Sequence, residues 1–292
     1  MPTAILPDDI ANTVKHALAE DIGPGDLTAM LVPEDAEGEA TIISRDQAIF
    51  CGAAWLDEVY KQVDTNVKVE WLVSDGEQVT PNQTLCKISG NARAMVTGER
   101  TALNFLQTLS GTATMAQKFA KRITGTKAAV RDTRKTLPGL RKAQKYAVCC
   151  GGCENHRMGL YDAVLIKENH IIAAGSITEA VRQAKMLRDA HGNAVPVEVE
   201  VETIAQLDEA VHAGAELVLV DNFSIPMLNK AVARNSDHKK YNRGQAKVEA
   251  SGGITWENAR SIADTGVDYL AVGTLTKDLE SVDLSMRFAE ET

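Results

Sequence analysis

The amino-acid sequence predicts an α/β protein: a β-rich N-terminal α/β domain followed by an incomplete α/β barrel. Two contrasts in pattern carry this expectation. The first hundred residues mix short apolar runs with turn chemistry, whereas beyond about residue 113 strand-like and helix-like patterns alternate, the order that builds a parallel sheet. The 179 residues from Thr114 onward fall short of the ~250 typical of eight strand–helix units, so a smaller barrel is expected, with a doubly wound open sheet as the alternative.

In the first domain, strands are expected at Ala40–Ile43, Ala48–Phe50, Val67–Val73 and Leu85–Ile88, with Asp75-Gly76 as a turn. From Thr97 to about Ile123 the positions Leu103, Leu106, Leu109, Met115 and Phe119 suggest helices broken at Gly111. The boundary is drawn there, giving domains 1–113 and 114–276, with 277–292 returning to the first. The second domain shows six strand patterns: Ala128–Asp132, Ala163–Lys167, Val195–Val201, Leu217–Asp221, Lys247–Ser251 and Tyr269–Gly273. Ser176-Ile-Thr-Glu179 and Thr203-Ile-Ala-Gln206 have the capping-box pattern, and Gly192, Gly214 and Gly266 stand where helices should stop. The polar stretch Asn235–Gln245 reads as a solvated connection, with a mobile active-site loop as the lesser alternative.

Composition narrows the function. With 44% hydrophobic and 24% charged residues the chain is of the globular type, while 4% aromatics and a net charge of −9 argue against base-stacking platforms and nucleic-acid coats. No apolar run approaches the ~18 residues of a membrane helix, and Met1–Ile10 does not read as a secretory signal. Five cysteines, three of them bunched at Cys149, Cys150 and Cys153, suit reduced thiols and a cytoplasmic address. Cys150 and Cys153 have zinc-ligand spacing, but no second cysteine pair exists to complete a structural site.

Ligands of parallel α/β folds meet the carboxyl ends of strands, and here those ends are nearly all polar. They read Thr133-Arg134-Lys135, Lys167-Glu168-Asn169-His170, Glu198 and Glu200, Asp221-Asn222, Ser251-Gly252-Gly253 and Gly273-Thr274. Between Arg131 and Arg157 seven Lys/Arg face two acids, a local positive segment in an acidic chain that suits a small anionic substrate. Arginine forks match carboxylate or phosphate. Glu200 and Asp221 are candidate ligands for Mg²⁺, which is commonly held by one or two carboxylates plus substrate phosphates. The Ser251-Gly252-Gly253 and Gly273-Thr274 turns offer backbone N–H groups to a phosphate. Glu198 lies two residues before Glu200, on the same strand face, either sharing the site or serving structure. Lys167 also admits a Schiff-base lyase, and the whole constellation a non-catalytic binding module.

The segments Gly-Glu-Arg100-Thr-Ala-Leu-Asn-Phe, Asp132-Thr-Arg134-Lys135-Thr-Leu-Pro-Gly-Leu-Arg141, Asn155-His156-Arg157, Leu165-Ile-Lys167-Glu-Asn-His170 and Val-Asp221-Asn-Phe resemble the quinolinate phosphoribosyltransferase family over nearly the whole chain. The resemblance implies an irregular seven-stranded barrel of the type II phosphoribosyltransferase kind, six of whose strands are visible. It implies decarboxylating phosphoribosyl transfer from 5-phosphoribosyl-1-pyrophosphate to quinolinate, in NAD biosynthesis, with Mg²⁺. Arg134, His156, Arg157 and Lys167 would hold quinolinate, with Lys135 nearby and Thr133 beside them. Arg100 would reach into the partner subunit's site of a homodimer. Lys135, Lys167, Glu200 and Asp221 would be catalytic, Glu200 and Asp221 serving metal and ribose. Ser251, Gly252, Gly253, Val272, Gly273 and Thr274 would meet the 5′-phosphate. The stretch Cys149-Cys150-Gly-Gly-Cys153-Glu154 departs from the family's more glycine-rich form.

Overall fold

The computed structural model describes residues 4–190, 195–240 and 245–289. In chain order the elements begin α1 (Ile10–Ile22), β1 (Glu37–Ser44), β2 (Ala48–Ile49), α2 (Ala53–Val63), β3 (Lys68–Trp71), β4 (Gln78–Val79), β5 (Thr84–Asn91) and α3 (Ala92–Arg122). Next come β6 (Ala129–Arg131), α4 (Arg141–Cys150), β7 (Val164–Ile166), α5 (Glu168–Ala174), α6 (Ile177–Ala190), β8 (Val197–Val201) and α7 (Ile204–His212). The series closes with β9 (Leu217–Asp221), α8 (Ile225–Lys240), β10 (Lys247–Ser251), α9 (Trp256–Asp264), β11 (Tyr269–Ala271), α10 (Thr274–Lys277) and β12 (Leu284–Phe288).

The residues fall into two units. The first takes the chain up to Gln117, Thr136–Cys153 and the residues from Leu275 on. Its antiparallel sheet runs β12-β1-β5-β3, and β1 alternates buried Ala40, Ile42 and Ser44 with more open neighbours, so one sheet face meets the core. Trp55, Leu56, Val59 and Tyr60 of α2 and Met95, Leu103, Leu106 and Leu109 of α3 fill that core. β12, within the 277–292 stretch in which the sequence reading named no strand, pairs with β1 from Ala40↔Phe288 to Ser44↔Leu284.

Three expectations are corrected here. Gly111 does not break a helix: α3 runs unbroken for 31 residues, and a Cβ at Gly111 would collide with the carbonyl of Glu280. Glycine there admits a neighbouring backbone. Residues 136–153 group with the first unit and not with the barrel, because Ala143 and Ala147 of α4 join its apolar core and Tyr146 packs on Trp55 with ring centroids 5.5 Å apart. Asn235–Lys240 is the last part of α8, not a connection: the Asn235 side chain donates to the Ala246 carbonyl (2.7 Å) and accepts from its N–H (3.1 Å), while buried His238 bonds Asp208 (2.8 Å). Residues 241–244, and Gly192, lie outside the described residues.

The second unit, Lys118–Lys135 with Glu154–Thr274, holds a parallel sheet ordered β6-β11-β10-β9-β8-β7. From β7 to β11 each strand neighbours its successor, and the last, β11, pairs with the first, β6, which is the cyclic order of a barrel and excludes a doubly wound sheet. The opening lies between β6 and β7. There a single parallel bridge, Arg131↔Glu154, stands on the free side of β6, where a seventh strand would lie. Strand alternation puts Val199, Val201, Val218, Val220, Val248, Ala250 and Leu270 on one buried face, packed by α6 to α9. The helices obey their signals. Thr203 and Gln206 form a reciprocal capping box on α7, and Gly214 and Gly266 follow α7 and α9 at positive φ. Ser176 caps the Glu179 N–H (3.1 Å) before α6, while the Glu179 carboxylate turns to Arg182 and Gln183.

Candidate active site

The opposite strand face of the barrel is polar. Interstrand register sets Asp221 level with Ser251 and, one layer deeper, Glu200 and Glu249 both level with Leu219, Glu249 being level with Tyr269 as well. At the carboxyl ends of these strands a cavity of about 400 Å³ opens. Thr133, Arg134, Lys135, His156, Arg157, Lys167, Glu200, Asp221 and Ser251, all singled out in the sequence, line it together. Leu165, Leu219 and Ala271 line it too, as does Asp132. These four were missed. Each apolar one lies two residues before a predicted site residue, so strand periodicity alone would have found them.

Local structure aims the basic groups. Asp132, fully buried, accepts from the His156 backbone N–H (2.9 Å) and from Asn155 Nδ2 (2.7 Å), tying the loop after β6 to the segment that carries His156 and Arg157. The Thr133 hydroxyl accepts from the Lys135 N–H (3.1 Å) and shapes the turn bearing Arg134. Lys167 follows β7 as the N-cap of α5, and its N–H donates to His170 Nδ1 (3.0 Å) in a capping box that opens the helix. His170 therefore serves the helix terminus. Lys167 Nζ reaches across to Glu200 Oε2 on β8.

The site is crowded with like charge. Burial lowers the pKa of Arg157, the neighbouring Arg134 guanidinium lowers it further, and Glu198, Asp162 and Glu200 oppose both. Two guanidiniums lining one cavity and sensing each other's charge invite an anion between them. On the other flank stand Glu200 and Asp221, the latter accepting from Asn222 Nδ2 (2.7 Å). Two carboxylates at adjacent strand ends, both open to the cavity, form a hard-oxygen donor pair that fits Mg²⁺ completed by substrate oxygens and water.

Other predicted residues stand apart. Gly252 (φ +90) is required by packing, since a Cβ would collide with Asn222, which itself sits at φ 56. Gly253 (φ +56) has open space around it, and Thr274 begins α10. Val272 is fully buried and its N–H donates to the Arg131 carbonyl (2.8 Å), so neither side chain nor amide hydrogen is offered to a ligand. Neither Gly273 nor Arg100, on α3 in the first unit, lines the cavity. Cys150 and Cys153 do not converge: Cys153 Sγ donates to the Ala116 carbonyl (3.2 Å), while Cys150 lies with Cys51 and Asp75.

Comparison with known proteins agrees over the length of the chain. The quinolinate phosphoribosyl transferase N-terminal domain profile matches residues 26–110 and the C-terminal domain profile residues 112–287. The chain is 41% identical over 273 residues to the probable nicotinate-nucleotide pyrophosphorylase (carboxylating) of Bacillus subtilis (strain 168), covering 94% of this chain and 91% of that protein. Identity is 38% over 293 residues to the chloroplastic nicotinate-nucleotide pyrophosphorylase (carboxylating) of Arabidopsis thaliana, covering 97% and 84%. The solved nicotinate-nucleotide pyrophosphorylase of Francisella tularensis superimposes with a TM-score of 0.91 at 44% identity, covering 98% of each chain.

Proposed function

The chain belongs to the quinolinate phosphoribosyltransferase family, and on that premise we propose that it converts quinolinate and 5-phosphoribosyl-1-pyrophosphate into nicotinate mononucleotide, pyrophosphate and CO₂ in NAD biosynthesis. The observation that carries this reading is the convergence of Arg134, Lys135, His156, Arg157 and Lys167 on one cavity faced by Glu200 and Asp221. The Schiff-base and non-catalytic alternatives give way to it.

Arg134, His156, Arg157 and Lys167 hold the two carboxylates of quinolinate, and Leu165, Leu219 and Ala271 supply apolar surface for its ring. So oriented, the ring nitrogen attacks C1′ as the C1′–O bond to pyrophosphate breaks. The cationic groups, Lys135 among them, balance charge on the leaving group. The ring nitrogen is then a pyridinium, which accepts the electron pair released at C2 when its carboxylate departs as CO₂; a proton taken up at C2 completes the product. No protein nucleophile is needed. Glu200 and Asp221 would hold Mg²⁺, which when bound neutralises pyrophosphate charge. Thr133, Ser251 and the Gly252-Gly253 and Gly273-Thr274 turns would bind the ribose phosphate.

The chain would act as a homodimer in which Arg100 completes the partner's site. Exposed Leu27, Met30 and Leu31, and on the second unit Leu160, Tyr161 and Ile172, support such an interface. Five cysteines, none in a disulfide, support a reducing, cytoplasmic setting, and no helix among the described residues is long and apolar enough to cross a membrane.

The test is turnover with quinolinate, phosphoribosyl pyrophosphate and Mg²⁺, following CO₂ and nicotinate mononucleotide, with nicotinate in parallel. Both products from quinolinate alone are expected. Turnover of nicotinate instead would overturn the dicarboxylate pocket, and no turnover of either would overturn the transferase reading.

A further inference from the structure

Beneath the cavity the barrel interior carries charge where such barrels ordinarily stack apolar layers. Glu198 and Glu249 are both buried, and so is most of the His156 side chain, 8% exposed. His156 Nε2 lies 2.8 Å from Glu198 Oε2 and 4.0 Å from Glu249 Oε2. Glu249 is shared with Arg131, whose Nη1 stands 3.4 Å away and whose guanidinium lies 3.3 Å over the Tyr269 ring. Glu198, by contrast, makes its close contact with His156.

Glu198 also stands outside the substrate cavity. It lines a second hollow of about 330 Å³, by the open seam between β6 and β7, together with Arg131, Asn155 and Asp162. His156 and Arg157 line both spaces and so form the wall between them. A side chain in that wall has one face toward substrate and one face to be anchored. The His156 backbone is fixed by Asp132 and its ring by Glu198, one anchor at each end of the residue.

We infer that Glu198 is a positioning residue, which acts on quinolinate through His156 by fixing the plane and tautomer of its imidazole at the cavity wall. The inference rests on the proposed function for the identity of the substrate. A carboxylate on one ring nitrogen decides which nitrogen carries the proton and which way the other points. Misplacing a substrate-orienting group by about 1 Å costs on the order of 100-fold in rate. Glu200, two residues on, faces the cavity itself, so one strand supplies a group for the ligand and a group for the ligand's holder.

The test is a double-mutant cycle read by steady-state kinetics with E198A, E198Q, H156A and E198A/H156A. E198A is expected to raise KM for quinolinate at least tenfold while KM for phosphoribosyl pyrophosphate moves less than twofold. E198Q keeps an acceptor oxygen without the charge and is expected to fall between wild type and E198A. In the H156A background E198A is expected to add less than twofold. Effects of E198A and H156A that simply multiply, or equal shifts in both KM values, would overturn the inference. Should E198A not fold, E198Q in both backgrounds runs the same cycle under the same criterion. Wild-type turnover separates the two readings: absence of quinolinate turnover defeats the proposed function, whereas turnover with multiplicative effects defeats only the role of Glu198.

Discussion

The apolar core of the first unit and the space inside the barrel of the second are built from contrasting materials, although the outer face of the barrel strands forms an apolar layer with α6 to α9. The first is filled by Trp55, Tyr60, Phe50, Leu85, Ile88 and Leu103, each at most 2% exposed. The second encloses Arg131, Asp132, His156, Glu198 and Glu249 beneath its strand ends. Apolar burial stabilises by about 25 cal/mol per Å², whereas a buried charge destabilises unless it is paired. The difference teaches where stability is given up to hold a charged constellation: apolar burial in the first core and between the barrel strands and their helices carries folding energy, and the inside of the barrel carries preorganised groups.

A pair of substitutions would break that contrast if it were false. Trp55→Ala, by chemical denaturation, is expected to lose about 3–5 kcal/mol of stability, with KM for quinolinate unchanged in the folded fraction. Arg134→Ala is expected to do the reverse. Its melting temperature stays near wild type because Arg134 is exposed, while kcat/KM for quinolinate falls by about 2–5 kcal/mol, some thirtyfold to several thousandfold. A large stability loss from Arg134→Ala, or near-normal kcat/KM, would erase the distinction.

Glu249 sharpens the comparison through pH. Burial pushes its pKa up from 4.5 to about 7, against the pull of His156 and Arg131. The folded protein therefore holds this proton more tightly than the unfolded chain. The associated stability is fully present below about pH 4.5 and is lost as pH rises through about 7, to a total of about 3 kcal/mol. Denaturation between pH 5 and 8 is expected to display that fall, and Glu249→Gln to flatten it. The smallest effect belongs to the first unit. Gly111→Ala gains about 1 kcal/mol of helix propensity but overpacks against the Glu280 backbone at about 1–3 kcal/mol, so urea unfolding is expected to give a net loss near 1 kcal/mol.

Sequence legibility follows the same divide. β9 and β10 were readable to the residue because each is a five-residue strand that runs into a polar end. β4, two residues long, gives no periodic signal. β12 alternates Leu284, Met286 and Phe288, yet only its pairing with β1 reveals where that face is buried. The end of α8 misled because its buried stripe continues through Asn235 and His238, polar residues whose partners, Ala246 and Asp208, lie outside the helix. At the candidate site, the charged ring of the cavity was legible from strand ends, since one residue per strand suffices to see it. The layer below was not: Glu249 reads as one more strand residue until register sets it beside Tyr269 and folding brings Arg131 and His156 to it.

The return of β12 to the edge of β1 has a consequence for synthesis on the ribosome. Leu284–Phe288 follows every barrel strand in sequence, although it belongs to the sheet that begins the chain. A nascent chain can therefore emerge with all of α1 to β11 and still lack the edge of its first sheet. Until those last residues leave the exit tunnel, the outer rim of β1 offers unpaired N–H and C=O groups to any passing strand. A chain truncated just short of residue 284 would carry every barrel strand yet leave that sheet edge unpaired, and is expected to aggregate more readily than the full chain.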